Sequence, residues 1–339
     1  ATLVPYTTLF RSDGLTWTAA TTQPSNLRIL SLTASGTTLL AGTDGVGVFR
    51  STDGGLTWTA ATTQPTDPYI FTLTTSGTSL LAGTDGAGVF RTTDGGLHWT
   101  AATTQPADAT ITSLIFSGTT LLAGTAGGVF RSTDDGLTWS AATLQPTTPL
   151  IYSLTASGTT LLAGTYDAGV FRSTDGGLTW TAATTQPTSL SIVSLAASGT
   201  TLLAGTRAGV FRSTDGGLSW AAATTQPTNL SIVSLTTSGT TLLAGTAGAG
   251  VFRSTDDGLT WRAATTQPTG LDILSLTASG TTLMAGTDGA GVFLSTNGGL
   301  TWTATATQPR DLSIYSLTTS GTTLFAGTGS AGVWRYSLE

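Results

Sequence analysis

Apolar and polar positions alternate along this chain in short runs, and no stretch settles into the 3.6-residue rhythm of an amphipathic helix. Residues 189–223 show the pattern well. Leu190–Ala197 (LSIVSLAA) alternates and stops at Ser198-Gly199; Thr201–Thr206 (TLLAGT) follows and stops at a glycine-containing turn. Gly209–Ser213 (GVFRS) is the third run, and Leu218–Ala223 (LSWAAA) is the fourth, entered through Thr214-Asp215-Gly216-Gly217. Runs of five to eight residues broken by such turns predict four strands of an antiparallel meander. A Thr-Thr-Gln-Pro connector (Thr224–Pro227) leads onward. Proline cannot donate to a ladder, so it belongs in the connector.

The unit recurs from end to end. Trp17, Trp58, Trp99, Trp139, Trp180, Trp220, Trp261 and Trp302 mark it at spacings of 41, 41, 40, 41, 40, 41 and 41 residues. That period fits a propeller blade or a helical repeat. The Thr, Val, Gly and Pro content decides for strands. One meander cannot bury both of its faces, so blades stack around an axis and close into a ring. First strands start near Ile29, Ile70, Ile111, Ile151, Ile192, Ile232, Ile273 and Ile314, and fourth strands occur near Leu15, Leu56, Leu97, Leu137, Leu178, Leu218, Leu259 and Leu300. The expectation is an all-β, eight-bladed β-propeller of four-stranded antiparallel blades. Because the chain starts with a fourth strand, Leu15–Ala20 is expected to complete the blade begun by Asp311–Tyr336 and so close the ring. Leu178 and Trp180, two apart, are expected to share the inter-blade core with Phe171 and Leu161 or Leu162.

The single domain spans 13–339, and residues 1–12 form an aberrant segment. Within it Pro5–Ser12 (PYTTLFRS) resembles a translated sequencing adapter. The expectation is a fragment from environmental DNA whose natural form has more units.

Composition narrows the function. The 339 residues contain 12 basic and 18 acidic groups, for a net charge of -6, and no lysine at all. Nucleic-acid binding, which needs clustered basic residues, is not expected. No run of eighteen apolar residues exists, so no membrane-spanning helix is expected. Without cysteine there is no disulfide, thiolate or zinc knuckle. Low charge and abundant threonine point to a bacterial secreted or surface setting, with the chain acting as a monomer.

Between third and fourth strands each unit carries Ser-Thr-Asp-Gly-Gly-Leu-Thr-Trp, as in Ser51–Trp58 and Ser173–Trp180. This resembles the Asp-box, S-x-D-x-G-x-T-W, of the bacterial neuraminidase repeat. Sialidases, sortilin-type receptors, xyloglucanases and a photosystem II assembly factor share it. The resemblance covers essentially everything from residue 9 onward and implies a propeller. Seven units match closely; Asn297 stands for the aspartate in one, and Ser12–Trp17 is two residues short. An Asp in such a turn accepts backbone N–H groups two or three residues on, and Gly supplies positive φ. Asp13, Asp53, Asp94, Asp134, Asp175, Asp215, Asp256 and Asn297 are therefore structural, with the eight tryptophans packed over the turns.

Catalysis is not expected. Sialidases work with an arginine cluster, a tyrosine nucleophile and a glutamate, whereas the sole glutamate here is Glu339. Glycoside hydrolysis needs two acids in unlike environments, and these acids sit in equivalent turns. His98, the one histidine, reads as a surface substitution of the turn threonine. No cofactor or metal is expected. Arginines end the third strands (Arg50, Arg91, Arg131, Arg172, Arg212, Arg253, Arg335), with Leu294 the exception. They read as stems packed on aromatics with solvated heads, or as an anion-binding ring.

The units differ mainly in the loop after the second strand and in the connector after Gln-Pro. Both fall on the face opposite the Asp turns. Asp44, Tyr69, Asp85, Tyr166, Asp167, Arg207, Asp288 and Arg310 are the candidate binding residues there. A varied face on a constant scaffold suits an interaction scaffold for a protein or surface partner, or a multivalent glycan-binding module.

Overall fold

The structure, a computed structural model, describes residues 16–23, 26–77, 79–147, 150–225, 227, 230–268, 270–309 and 311–338. Strand β1 (Thr18–Ala19) stands alone at the start. The first complete blade is β2 (Ile29–Ser35), β3 (Thr38–Thr43), β4 (Val48–Ser51) and β5 (Thr59–Ala60), paired in that order. Six more four-stranded antiparallel meanders follow. In the eighth, Ile314–Ser320, Thr323–Thr328 and Val333–Ser337 are completed by β1, with Thr18 opposite Arg335 and Ala19 opposite Trp334. The ring is closed by the first strand as the sequence predicts, and the fold is an eight-bladed β-propeller.

Each first strand is the inner edge of its sheet and packs beside the first strands of both neighbouring blades. Serines link them: Leu73 N–H donates to Ser31 Oγ of the preceding blade (3.1 Å), and Leu32 N–H to Ser316 Oγ across the seam (3.0 Å). Second strands are almost wholly buried because successive leucines point to opposite neighbours. Leu161 packs with Phe171, Trp180 and Leu122, while Leu162 joins the next interface with Trp220. The eight tryptophans are 1–5% exposed. Each contributes roughly 4–6 kcal/mol of gross burial, before conformational entropy is subtracted. Second-strand glycines allow this close approach: a Cβ on Gly164 would lie 2.6 Å from Ile192 Cγ2 of the next blade.

Leu178 departs from expectation. It is 41% exposed, and its equivalents Leu56, Leu137, Leu218, Leu259 and Leu300 are similar. The fourth strands are only two residues long, Ala221–Ala222 where Leu218–Ala223 is expected. Asp215 Oδ1 accepts the N–H groups of Leu218 (3.1 Å) and Ser219 (3.0 Å), so those residues belong to the turn. The alternation that would bury the leucine starts only at the tryptophan. Likewise the first strand of that unit is Ile192–Ser198, since Leu190 O accepts Gly169 N–H from the neighbouring hairpin. Residues 1–12, Asp13 and Leu15 lie outside the described residues.

The connector glutamine extends what the short fourth strand leaves unpaired. Gln186 Oε1 accepts Val170 N–H (2.8 Å) and Nε2 donates to Val170 O (2.8 Å). Its amide imitates one further peptide of the outer strand. Gln64, Gln105, Gln145 and Gln308 make the same pair of bonds, and Gln23 accepts Val333 N–H at the seam.

Candidate functional site

The two faces of the disc differ in what their polar groups are free to do. On the face carrying first-to-second and third-to-fourth turns, the leading aspartate of each described Asp turn is fully engaged. Asp175 accepts Ser173 Oγ–H (2.7 Å), Leu178 N–H (3.0 Å), Thr179 N–H (3.0 Å) and Thr179 Oγ1–H (2.5 Å). Asp53, Asp94, Asp134, Asp215 and Asp256 sit in the same cradle. These donors favour the charged form. The Thr57 hydroxyl is the largest influence on Asp53 and, with the backbone, holds it at about 2. For Asp175, Asp215 and Asp256 burial is the largest single influence and pushes up, yet the donors together outweigh it and leave them at about 2. Asn297 makes the turn without a charge, accepting Thr301 N–H (3.0 Å) and donating to Thr301 Oγ1 (2.7 Å). His98 Nδ1 lies 2.7 Å from Asp94 Oδ2, taking the place of the threonine hydroxyl.

The third-strand arginines form neither free heads nor an open ring. Each reaches the next blade's Asp turn: Arg50 Nε donates to Gly95 O (2.9 Å), Arg172 Nε to Gly216 O (3.0 Å) and Arg253 Nε to Gly298 O (2.9 Å). Arg335 Nη1 donates to Gly54 O (3.3 Å) across the closure. Beside Arg91 the turn carries Asp135, whose carboxylate also takes the Ser79 hydroxyl. These are staples between blades.

The opposite face holds the second-to-third hairpins and the connectors. Asp44 pairs with Arg28 (3.5 Å), and Arg28 lies over the Tyr315 ring (4.9 Å to its centre). Tyr69, 44% exposed, bridges to Asp44 through the backbone. Tyr166 meets Tyr152 edge to face at 5.4 Å and carries the Arg207 guanidinium over its ring at 5.6 Å. Asp288 accepts the Ser313 hydroxyl (2.7 Å). Asp85 and Asp167 are hairpin residues on this face, and Arg310 lies outside the described residues. An open depression of about 400 Å³ between the last two blades is lined by Asp311, Leu312, Ser313 and Ser330. The candidate residues are thus spread around the disc and do not converge on one centre. Among the described residues no cluster of His, Asp or Glu has the arrangement of a metal site, and no helix is long and apolar enough to cross a membrane.

Sequence reasoning missed one feature here. Every first strand breaks register between its leading Ile and the Ser or Thr two residues on, as between Ile29 and Ser31 or Ile151 and Ser153. The extra residue of each bulge is Leu30, Phe71, Thr112, Tyr152, Val193, Val233, Leu274 or Tyr315. It follows the connector, so it stands at the loop end of the inner strand, around the mouth of the axis. The available signal was a single freely varying position between Ile and a Ser or Thr followed by Leu.

The charges are also divided. Among the described residues the Asp-turn face and rim hold eight aspartates and eight arginines, whereas the loop face holds eight aspartates and only Arg28 and Arg207. Among the described residues the excess of negative charge therefore lies on the loop face.

The DUF6242 beta propeller domain family matches residues 66–191. No curated protein matches the chain in sequence. The computationally designed Ika8 protein superposes with a TM-score of 0.78 at 14% identity, covering 93% of this chain and 98% of that one. YCF48 bound to D1 peptide gives 0.65 at 15%, covering 96% and 98%. The GH74 xyloglucanase from Xanthomonas campestris gives 0.59 at 16%, covering 95% of this chain and 54% of the enzyme. At these identities the property held in common is the fold, a β-propeller.

Proposed function

We propose that this chain is a non-catalytic Asp-box propeller that docks a partner on its loop face. The observation carrying the reading is the contrast between faces. One side repeats a single turn whose leading carboxylate and third-strand guanidinium already have intramolecular partners. The other gathers the differences between units together with exposed Tyr69, Phe71, Tyr152 and Tyr166, whereas the exposed leucines of the Asp-turn side repeat one position from blade to blade. Exposed apolar groups on a rigid scaffold mark interaction surfaces. The acids of the Asp turns share one environment, so none is set apart as acid or base. A protein of this fold, YCF48, has been seen with a peptide. A glycan is the second reading, favoured by the exposed Tyr152–Tyr166 pair beside Arg207.

Photo-reactive phenylalanine analogues placed at Tyr166 and at Leu178, on opposite faces, test the reading on whole cells or extracts. Crosslinks confined to position 166 support it; labelling at 178 alone, or equally at both, overturns it. Hits on a glycan array that vanish in Tyr166→Ala would replace the protein partner with a sugar. Turnover of a xyloglucan or a sialoside by the purified chain would end the non-catalytic reading.

A further inference from the structure

A β-bulge lifts one residue out of the ladder and re-aims its side chain. Here eight bulges stand in register, one per blade, on the innermost strands. Of the residues they lift out, Thr112 alone is hydroxylic and aliphatic; the others are Leu, Val, Phe or Tyr. Phe71 remains 38% exposed and Tyr152 36%. At the loop end of the inner strands Phe71 and Tyr152 thus stand exposed, while Leu30, Val193, Val233, Leu274 and Tyr315 are half-buried and Tyr315 lies under Arg28.

Charge selects the occupant. Among the described residues the loop face holds eight aspartates against two arginines, and both of those arginines already have partners. Arg28 lies between Asp44 and Tyr315, and Arg207 lies on Tyr166. A field of one sign concentrates ligands of the other. Nucleic acid and anionic lipid carry the wrong sign. The carboxylates are distributed over blades 1–4, 7 and 8, too dispersed for one small cation, so the complementary ligand presents several separated positive charges.

We infer that the loop face binds a cationic peptide segment, seating one apolar side chain in the mouth ringed by Leu30, Phe71, Tyr152 and Tyr315 while its Lys and Arg residues lie over the surrounding aspartates. This rests on the loop face being the docking face and adds the chemistry of the partner.

The probe is a fluorescent synthetic peptide of alternating Lys and Gly with one central Leu, titrated against the full chain by anisotropy. Its companions carry Ser for the Leu, or Glu for every Lys. Burial of one large apolar side chain predicts that the Ser peptide, and the Phe71→Ser/Tyr315→Ser variant, bind about ten- to a hundred-fold more weakly. Asp85→Asn/Asp288→Asn weakens binding and flattens its salt dependence between about 0.05 and about 0.5 M. Leu178→Ser on the opposite rim changes nothing. Should the double aromatic variant fail to fold, the single changes Phe71→Ser and Tyr315→Ser carry the same expectation. Equal binding of the Leu and Ser peptides, tighter binding of the Glu peptide, or no binding of any overturns the inference. If crosslinks still map to position 166 in that case, the docking reading stands and only the partner chemistry falls. Crosslinks at position 178 alone would remove both.

Discussion

Replacing Gln186 separates the role of its amide from that of the backbone ladder. Val170 is fully buried, with its N–H held by Gln186 Oε1. Its carbonyl keeps a second donor, Ala183 N–H at 3.0 Å, whatever happens to the glutamine. Gln186→Ala therefore orphans one buried donor and leaves the acceptor satisfied. An unmet buried N–H costs about 1–3 kcal/mol. Gln186 itself is half-buried, so water reaches part of the gap, and we expect about 2 kcal/mol. For a ring of this size the unfolding entropy is about 0.7 kcal/mol/K, which converts the loss to a fall of about 3 °C in Tm. Gln186→Glu sharpens the test. A glutamate keeps the acceptor for Val170 N–H but meets Val170 O with a carboxylate unless it holds a proton. Its folded pKa is therefore raised above the unfolded value of about 4.3. Protonation restores a donor, so the stability it returns is present at low pH and lost as pH rises through the raised value. The Tm difference from wild type, followed by calorimetry between pH 7 and 4.5, should shrink on acidification. A Gln186→Ala variant as stable as wild type, or a Gln186→Glu variant with a pH-independent deficit, would refute the idea that the side chain completes the outer strand.

The Asp turns set the acid limit of the fold. Their folded pKa values are depressed from 3.8 to about 2 at Asp53, Asp175, Asp215 and Asp256, so their contribution is complete above about pH 4 and disappears as pH falls towards 2. Tryptophan fluorescence against pH should show a cooperative loss in that window, and a transition centred above pH 5 would contradict it. Asp175→Asn should cost less than about 1 kcal/mol at neutral pH, because Asn297 already builds the same turn, while reducing the acid sensitivity; a larger neutral-pH loss in denaturant titration would show that charge matters. Gly164→Ala places a methyl 2.6 Å from Ile192 Cγ2 and should destabilise by about 1–3 kcal/mol. An unchanged urea midpoint would mean that neighbouring blades slide apart freely.

The repeat made the architecture readable before any coordinates, down to the closure of the last blade by the first strand, where Thr18 stands opposite Arg335. Eight tryptophans in register fix eight blades, and an unmatched fourth strand at the start has only one open partner. Where the reading failed, a side chain had changed the local period. Leu178 looks like the start of a strand because it stands two residues before Trp180, but Asp175 takes its N–H and turns it outward. The bulge residues stayed hidden for a related reason: the run from Leu190 to Ala197 alternates acceptably by eye, and only the hydrogen-bond register shows that Val193 is an extra residue between Ile192 and Ser194. Gln186 could have been found, since glutamine occupies that connector position in all eight units.

That last contrast bears on where specificity can arise. A residue common to all eight blades presents the same group eight times around the axis, so by itself it cannot orient an asymmetric partner. It can only hold the ring, as the Asp turns, the arginine staples and the glutamine amides do. Orientation must come from positions where the blades differ but the backbone does not. The bulge meets that condition inside an otherwise constant strand, as does the hairpin position of Asp44, Tyr166 and Arg207. Both lie on one face, beside one another in space, with Tyr152 against Tyr166 and Arg28 against Tyr315. The scaffold therefore tolerates different side chains at these two positions: the hairpin carries Asp44, Tyr166 or Arg207 where other units have Ala126 or Ala247, and the bulge carries Phe71, Tyr152 or Tyr315 where others have Val193 or Val233.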